Sequence, residues 1–342
     1  MQRILIIIIS FSLALSSCTS SEDNANVIKK ANITIITSLN GTGDTGYNDL
    51  ILSGIMYFYE ANDVCLNMIT PHRYEDVAPA VEKWQAEATN YSRSLLVLAG
   101  SEYEEFVSTN NIELHENQQI LLFESKSKNL PAGVNTFYIN RYGASYLAGC
   151  MAKEHYSATI IAAMPGEALL EEAIAGFGDG YKTHSGKDAE LFYLSDNEKG
   201  FAMADSAYRL ASNISNAFIF PLAGGSNNGI YKYSREASFY LPLIVGMDKD
   251  CSMYSDRIPF SMVVNIDKVV EEYLTDWTNN IPLEKSKEFG LGSGIIDIIP
   301  SPTFYRNLVI WEDYYDSEDY WQNVYNSHKA EAIEKEKEYE KY

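Results

Sequence analysis

The sequence predicts an α/β protein built from two doubly wound, Rossmann-like lobes. Short, almost continuously apolar strands alternate with helical patterns after residue 31, which is typical of parallel sheets covered on both faces. The alternation starts again near residue 158, and 342 residues correspond to about two domains of ordinary size. Because 46% of the residues are hydrophobic, each lobe can bury a core of its own.

Five strands are predicted in the first part of the chain, and helical patterns separate several of them. The helix predicted over residues 45–60 places Ile51, Ile55 and Phe58 on one face at the spacing of an α-helix. A second helix is predicted over residues 75–88, and a third begins in "YGASYLAG". The predicted strands are residues 32–39, 64–70, 94–100, 119–125 and 136–140.

The second part of the chain repeats this alternation. Its first predicted strand covers residues 158–164, and further strands are predicted in "ELFYLS", "AFIFPLA", "PLIVGMD" and "FSMVVNI". Helices are predicted in "ALLEEAIAGFGDGYK", near 202–212, near 228–237 and in "DKVVEEYLTDWTNN". The stretch "SKEFGLGSGIIDIIP" supplies late strands that are rich in glycine.

The C-terminal stretch "DYWQNVYNSHKAEAIEKEKEYEKY" favours a helix. Its Glu and Lys residues recur at i, i+4, a spacing that stabilises an exposed helix. We therefore expect a solvated terminal helix, with a partner-binding helix as the alternative.

The N-terminal residues predict export. "MQRILIIIISFSLALSSC" has one basic residue and a short apolar core, as in a secretory signal, and the core is too short for a comfortable membrane span. "LSSC" at residues 15–18 resembles a bacterial lipobox, which implies cleavage before Cys18 and lipidation of its sulfur. A cleaved ordinary signal that contains a Cys is the alternative. Residues 19–31 are polar and predict a tether.

Composition limits the partners and the chemistry. The chain has 47 acidic and 26 basic residues, with a net charge of −21, so its surface repels nucleic acid and anionic lipid head groups. We therefore expect no nucleic-acid partner. The sequence shows no nucleophile–base pair, metal-ligand set or phosphate loop, so we expect neither enzymatic activity, nor a cofactor, nor a bound metal.

Three cysteines follow the signal. Cys65 lies in a predicted strand, Cys150 in a predicted helix and Cys251 in a loop. No pair has C-x-x-C or Cys/His metal spacing, and the five histidines are scattered along the chain. Buried or partly buried free thiols are predicted, with a Cys150–Cys251 disulfide as the alternative.

The stretch "GTGDTG" at residues 41–46 matches the G-x-G-x-x-G fingerprint of dinucleotide-binding proteins. Such a fingerprint requires an acidic residue at the end of the second strand, to bind the ribose hydroxyls. That strand ends "MITPHRY", and no acid follows until Glu75. The match therefore predicts a glycine turn rather than an NAD site.

Six short motifs occur in order between residues 32 and 298. They are "GDTGYND", "YGASYLAGCMA", "AAMPGEALLEEAIAGFGDGYK", "AGGSNNGIY", "VGMDKD" and "EFGLGSGIIDI". Together they resemble the basic membrane protein family, also called the PnrA-like purine nucleoside receptors, which are substrate-binding lipoproteins of ABC transporters. The resemblance implies a type I periplasmic-binding-protein fold with a ligand cleft between the lobes. The first lobe is expected to comprise residues 32–141 plus roughly 266–342, and the second lobe residues 142–265.

The resemblance also implies which residues line the cleft. Tyr47 and Tyr231 match two aromatic positions that sandwich a purine, one from each lobe. The alternative is that both are ordinary surface tyrosines. Asn48 and Glu124 match positions at the base edge, where an amide offers both a donor and an acceptor and a carboxylate accepts.

The ribose side of the implied site includes a departure from the pattern of the family. Asp248 matches a ribose-binding Asp, and Gly225 would let the backbone approach the ligand closely. Asp44 either accepts ligand hydroxyls or caps the helix that follows it. Val264 stands where the family has a Lys that contacts ribose, so we expect weaker hydroxyl recognition or a different ligand.

The resemblance implies an extracytoplasmic, lipid-anchored solute-binding protein, periplasmic or surface-exposed, that works with an ABC permease. Its ligand is expected to be a purine nucleoside or a similar aromatic small molecule. The alternative is a surface-exposed interaction protein, an adhesin, on the same fold.

Overall fold

The computed structural model describes residues 29–110, 112–153, 155–237, 242–304 and 318–339. Cys18, the predicted signal at 1–18 and most of the predicted tether lie outside the described residues. The described strands are β1 (Asn32–Thr37), β2 (Cys65–Ile69), β3 (Ser94–Ala99), β4 (Gln118–Phe123), β5 (Val134–Ile139), β6 (Ala158–Ala162), β7 (Glu190–Tyr193), β8 (Phe218–Leu222), β9 (Leu243–Ile244), β10 (Gly246–Asp248), β11 (Phe260–Val264), β12 (Ser286–Phe289) and β13 (Ile296–Pro300). The described α-helices are α1 (Tyr47–Ala61), α2 (Val77–Ala86), α3 (Glu104–Thr109), α4 (Tyr142–Met151), α5 (Ala168–Ser185), α6 (Ala204–Asn213), α7 (Asn227–Glu236), α8 (Ile266–Thr278) and α9 (Glu318–Tyr339).

The first lobe contains a six-stranded parallel sheet in the order β12-β5-β4-β3-β1-β2. Every residue of β1 and β3 is buried, because helices cover both faces of the sheet. The chain reverses its direction of winding between β1 and β3. In doubly wound sheets, ligands bind beside such a switch point, outside the carboxyl ends of the strands.

The second lobe repeats this arrangement with a four-stranded parallel sheet in the order β7-β6-β8-β9. Only Val245 separates β9 from β10, so the chain passes directly into a smaller sheet in the order β10-β11-β13. The predicted fold class, α/β with two lobes and parallel sheets, is confirmed.

The end of the chain connects both lobes. Helix α8 packs on α1, and β12 joins the first sheet beside β5. Strand β13 then pairs antiparallel with β11, and α9 packs on α4. The chain after residue 290 therefore differs from the sequence-based division, which assigned residues 266–342 as a whole to the first lobe.

Helix α9 is not the solvated helix that its charge pattern predicted. Trp321, Val324 and Ala332 are buried in the main core, and Glu336 is also buried. Their spacing of three, eight and four residues places them on one face of the helix, while Glu334, Lys337 and Glu338 are exposed on the opposite face. The charge pattern describes the outer face correctly, but the inner face packs on the second lobe.

The described residues include three of the four cysteines. Cys65, Cys150 and Cys251 are free thiols, as predicted, and the last two are buried. Among the helices of the described residues, none is both long and apolar enough to cross a membrane.

Candidate ligand-binding site

The candidate site lies where the carboxyl ends of strands from both lobes meet. From the first lobe come the loop after β1, Glu124 directly after β4, and Arg141 shortly after β5. From the second lobe come Gly225 after β8 and Asp248 at the end of β10. Parallel strands deliver their carboxyl ends to one edge of a sheet, so residues far apart in sequence converge there.

Two carboxylates organise the glycine turn after β1. Asp49 accepts hydrogen bonds from the N–H groups of Gly43 and Thr45, at 2.6 and 2.8 Å. Asp44 accepts from the N–H groups of Gly46, Asn48 and Asp49, at 2.9, 2.9 and 3.2 Å. Asp44 therefore caps α1, as one of the two predicted alternatives. Because the loop's own carboxylates engage these N–H groups, the turn does not offer them to a pyrophosphate.

A buried ion pair forms the floor of the site. Arg141 donates to both carboxylate oxygens of Glu124, Nη2 to Oε1 at 2.9 Å and Nη1 to Oε2 at 3.1 Å. The N–H of Ile139 donates to the same carboxylate at 3.0 Å. The side chains of Arg141 and Glu124 are only 10% and 2% exposed. Burial disfavours the charged guanidinium, but Glu124 outweighs it and raises the pKa of Arg141, so the guanidinium stays charged.

Tyr47 connects α1 to this ion pair. Its hydroxyl donates to Glu124, and the Arg141 guanidinium lies 5.4 Å from the centre of its ring, within range of a cation–π interaction. Burial and the neighbouring Glu124 raise the pKa of Tyr47 well above its ordinary value. The phenol therefore remains a hydrogen-bond donor at any physiological pH.

Asp248 faces this cluster from the second lobe. Burial, and after it the charge of Asp44, raises the pKa of Asp248 to about 6, although Arg141 and Lys249 act in the opposite direction. A Cβ atom at Gly46 would lie 2.6 Å from Oδ2 of Asp248, so this position tolerates only glycine without a shift. The second lobe thus reaches directly onto the first turn of α1.

The two lobes are in contact across the cleft. A Cβ atom built on Gly225 would lie 3.6 Å from Cα of Asp44. The hydroxyl of Thr45 donates to the Asn228 side chain at 3.0 Å. Further along the cleft, Ser101 after β3 donates to Glu167 after β6 at 3.3 Å. The structure therefore shows the closed arrangement of the cleft.

Backbone strain is concentrated at the site. Glu124 and Asp248 have φ values of +58° and +69°, in the left-handed region that residues other than glycine rarely adopt. Thr45, in the glycine turn, has φ +58°. Only one other non-glycine residue of the described chain, Asn280, shares this property. Strain of this kind is characteristic of functional sites, where surrounding structure holds it in place.

The predicted tyrosine clamp is wrong for Tyr231. This residue is 4% exposed, packs in the core of the second lobe and stacks on Tyr254 with ring centres 5.5 Å apart. Its hydroxyl accepts a hydrogen bond from the N–H of Met247 at 3.0 Å. Tyr231 therefore supports the strand that carries Asp248 and does not face Tyr47 across the cleft.

Of the other predicted site residues, all but Asn48 lie together in the cleft. Asp44, Tyr47, Glu124, Gly225 and Asp248 come together in the cleft. Asn48 instead lines a small cavity of about 10 Å³ on the first lobe, beside the ends of β1 and β3.

Arg141 is the charged residue of this cluster that the sequence analysis missed. The only signal was a single cation between an apolar strand and the apolar "YGASYLAG" segment. Val264, where the resemblance places a Lys, is buried in the core of β11. Arg141 therefore supplies a positive charge near Asp248 from a different strand end.

Two doubly wound lobes that close on polar groups at the carboxyl ends of their strands define a solute-binding protein of the type I periplasmic-binding fold. The profile of one family, described as "ABC transporter substrate-binding protein PnrA-like", matches residues 33–328. The chain belongs to this family, whose members are extracytoplasmic binding proteins of ABC transporters and not enzymes.

Solved structures support the fold. A solute-binding protein of an ABC transporter system from Aeropyrum pernix K1 has a TM-score of 0.67 and 16% identity, and the match covers 90% of each chain. A transcriptional activator of the comK gene from Bacillus halodurans has a TM-score of 0.61 and 15% identity, covering 88% of this chain and 97% of that one. GanP, a glucose-galactose binding protein from Geobacillus stearothermophilus, has a TM-score of 0.58 and 15% identity, covering 80% and 98%. No curated protein sequence matches the chain.

Proposed function

We propose that this solute-binding protein takes a purine nucleoside, or a similar aromatic small molecule, into the cleft between its lobes. The observation that carries the proposal is the convergence of Tyr47, the Glu124–Arg141 pair and Asp248 at the closed edge of both lobes. These groups combine a planar aromatic face, a paired acceptor and donor, and a carboxylate suited to hydroxyl groups. A nucleoside carries the matching set on one small molecule.

The geometry favours stacking on one side only. Of the two tyrosines that were predicted to form a clamp, only Tyr47 lies in the cleft. The guanidinium of Arg141 lies above its ring. A base that stacks on Tyr47 would take the place of this guanidinium or lie against it, because both a base and a guanidinium are planar. Asp248 would accept ribose hydroxyls, with Arg141 in the role that the missing Lys at Val264 would have had.

Binding of nucleosides to the purified protein tests this proposal. Ligand at 100 times its Kd stabilises a protein by about 2.7 kcal/mol, which a thermal-shift screen detects readily. We expect purine nucleosides to raise the melting temperature, the free bases to raise it less, and ribose alone to have the smallest effect. Calorimetry should then give one site per chain. A screen in which simple sugars bind and nucleosides do not would contradict the nucleoside assignment while leaving the cleft intact.

We further propose that the protein is held at the membrane by lipid on Cys18, which lies outside the described residues. The support is the "LSSC" motif at the end of the apolar signal core. Cys18→Ala should move the protein from the detergent phase to the soluble fraction, and Cys65→Ser should leave its partitioning unchanged. Unaltered detergent partitioning of Cys18→Ala would contradict the anchor.

A further inference from the structure

Outside the cleft, three helices bring together metal-binding side chains that lie far apart in sequence. Cys150 lies near the end of α4, His184 near the end of α5, and His328 in the middle of α9. One ligand atom of each lies within 4.8 Å of those of the other two. The sequence analysis expected no metal, because no short Cys/His spacing marks this group; the folding of α9 onto α4 and α5 creates it.

We propose that Cys150, His184 and His328 form a binding site for a single Zn²⁺ ion. A thiolate and two imidazoles are the ligands that zinc prefers, and a fourth position can be filled by a carboxylate or water. In a tetrahedral zinc site, sulfur and nitrogen ligand atoms lie about 3.3–3.6 Å from one another, given zinc–ligand distances of about 2.0–2.3 Å. The three side chains would therefore move together by about 1 Å.

Glu331 orients His328 and lies beside His184. Its Oε2 lies 3.0 Å from Nδ1 of His328, and its Oε1 lies 3.4 Å from Nε2 of His184. Tyr146 holds the same carboxylate through its hydroxyl at 2.8 Å. An Nδ1–H that donates to Glu331 leaves Nε2 of His328 with its lone pair free for a metal, which is the arrangement typical of histidine ligands.

His184 supplies an independent indication of a ligand. Its Nε2 atom is buried and forms no hydrogen bond, because Oε1 of Glu331, 3.4 Å away, is not aligned to accept one, whereas buried polar atoms are normally satisfied. The side chains of His184 and His328 remain 17% and 16% exposed, so an ion can enter from solvent. Zn²⁺ at this position would give the unsatisfied nitrogen its partner.

Two local features, the protonated thiol of Cys150 and the ammonium of Lys153, oppose the binding of a Zn²⁺ ion. Burial, and after it Glu331, raises the pKa of the Cys150 thiol, so binding must displace its proton to solvent as the sulfur–zinc bond forms. The ammonium of Lys153 lies 3.5 Å from Nε2 of His328, the atom that would bind the metal. Lys153 is only partly buried and would have to turn towards solvent.

The test is calorimetric titration of the chelator-treated, full mature protein with Zn²⁺ alone. We expect one site, release of protons that buffers of different ionisation enthalpy detect, and a higher melting temperature. Co²⁺ as a probe should give the charge-transfer absorption of a thiolate ligand. Mg²⁺ should not compete, because it prefers oxygen ligands.

Variants assign the binding to these residues. Cys150→Ser and His328→Gln should each weaken Zn²⁺ binding by about 100-fold or more, since loss even of an orienting partner costs about 10- to 100-fold. The matched controls Cys65→Ser and His115→Gln, both in the first lobe, should bind as the parent does. Lys153→Met should tighten binding by at least about fivefold, because two unit charges about 4 Å apart in water repel by about 1 kcal/mol and Zn²⁺ carries two charges.

His328 lies on a partly exposed helix face, so His328→Gln keeps the test valid if Cys150→Ser fails to fold. Zinc binding that Cys150→Ser and His328→Gln leave unchanged would overturn the site, as would Co²⁺ spectra without a thiolate band. Absence of Zn²⁺ binding by the parent protein would also overturn it. None of these outcomes depends on nucleoside binding in the cleft.

Discussion

Two strand–turn–helix units, one in each lobe, carry the tyrosines that the resemblance matches to an aromatic pair, and the two tyrosines have different environments. Tyr47 begins α1 and contacts the charged pair Glu124 and Arg141 in the cleft. Tyr231 lies in α7, is buried, and contacts Tyr254 and the backbone of Met247. Tyr47 is the first residue of its helix, whereas Tyr231 is the fifth. The comparison teaches that a matching motif predicts which helix carries a residue, whereas its position along the helix and the residues packed against it decide whether its side chain faces the cleft or the core.

The largest predicted effect is the loss of stability when the ion pair beneath Tyr47 is broken, and it tests whether the first of the two units is built on buried charge. Arg141→Met leaves Glu124 buried without its cation, which should lower the free energy of unfolding by about 3–5 kcal/mol. Urea denaturation measures this loss. The double variant Glu124→Gln, Arg141→Met should recover most of it, because no buried charge remains unpaired. A single variant as stable as the parent would show that the pair is solvated.

Removal of the Tyr231 side chain should affect stability and leave recognition largely intact. Tyr231→Ala deletes a buried aromatic ring, which typically costs about 3–5 kcal/mol. Tyr231→Phe keeps the ring and should cost less, about 1–3 kcal/mol, for the unpaired N–H of Met247. Tyr231→Phe should bind nucleosides as tightly as the parent in calorimetry. A large loss of nucleoside affinity in Tyr231→Phe would show that Tyr231 contacts the ligand.

Tyr47 should show the opposite balance. Tyr47→Ala removes the aromatic surface proposed to stack on the base, a contact worth about 1–3 kcal/mol per aromatic side chain, or about five- to a hundredfold in Kd. Tyr47→Phe retains the ring and serves as the matched control, so it should lose much less affinity. Equal affinities for Tyr47→Ala and the parent would contradict stacking at this position.

The smallest predicted effect concerns pH. The pKa of Asp248 is raised to about 6 in the folded protein, so the carboxylate is mostly protonated at pH 5 and mostly ionised at pH 7. Ligand hydroxyls donate to the ionised form, so nucleoside affinity should increase as pH rises through 6, by up to about tenfold between pH 5 and 7.

The same shift acts on stability in the opposite direction. Because the folded pKa exceeds the ordinary value of 3.8, the folded state without ligand is favoured below about pH 4 relative to above pH 6, and this contribution is lost as pH rises between the two. Asp248→Asn should remove both dependences. A pH profile of affinity that is identical in Asp248→Asn and the parent would show that another group titrates.

Much of the site could be predicted because its residues follow strands. Glu124 and Asp248 each stand at the end of an apolar run, and Asp44 stands just before a helix, so local patterns agree with the positions that the resemblance implied for them. The left-handed backbone at Glu124 and Asp248 could not be predicted, since neither residue type requires it. Arg141 was missed because its ion pair depends on how β4 and β5 stand beside each other.

The sequence by itself determined the alternation of strands and helices, the two lobes, the family, and two possible roles for Asp44, one of them the cap on α1. These features depend on side-chain periodicity and on hydrogen bonds between near neighbours, which a chain carries in any environment. Tertiary structure alone decided that Tyr231 lies in the core, that α9 buries Trp321, and that Cys150 meets two histidines. Burial and pairing depend on contacts between residues that lie far apart in the sequence, and a local sequence pattern does not show which of these contacts will form.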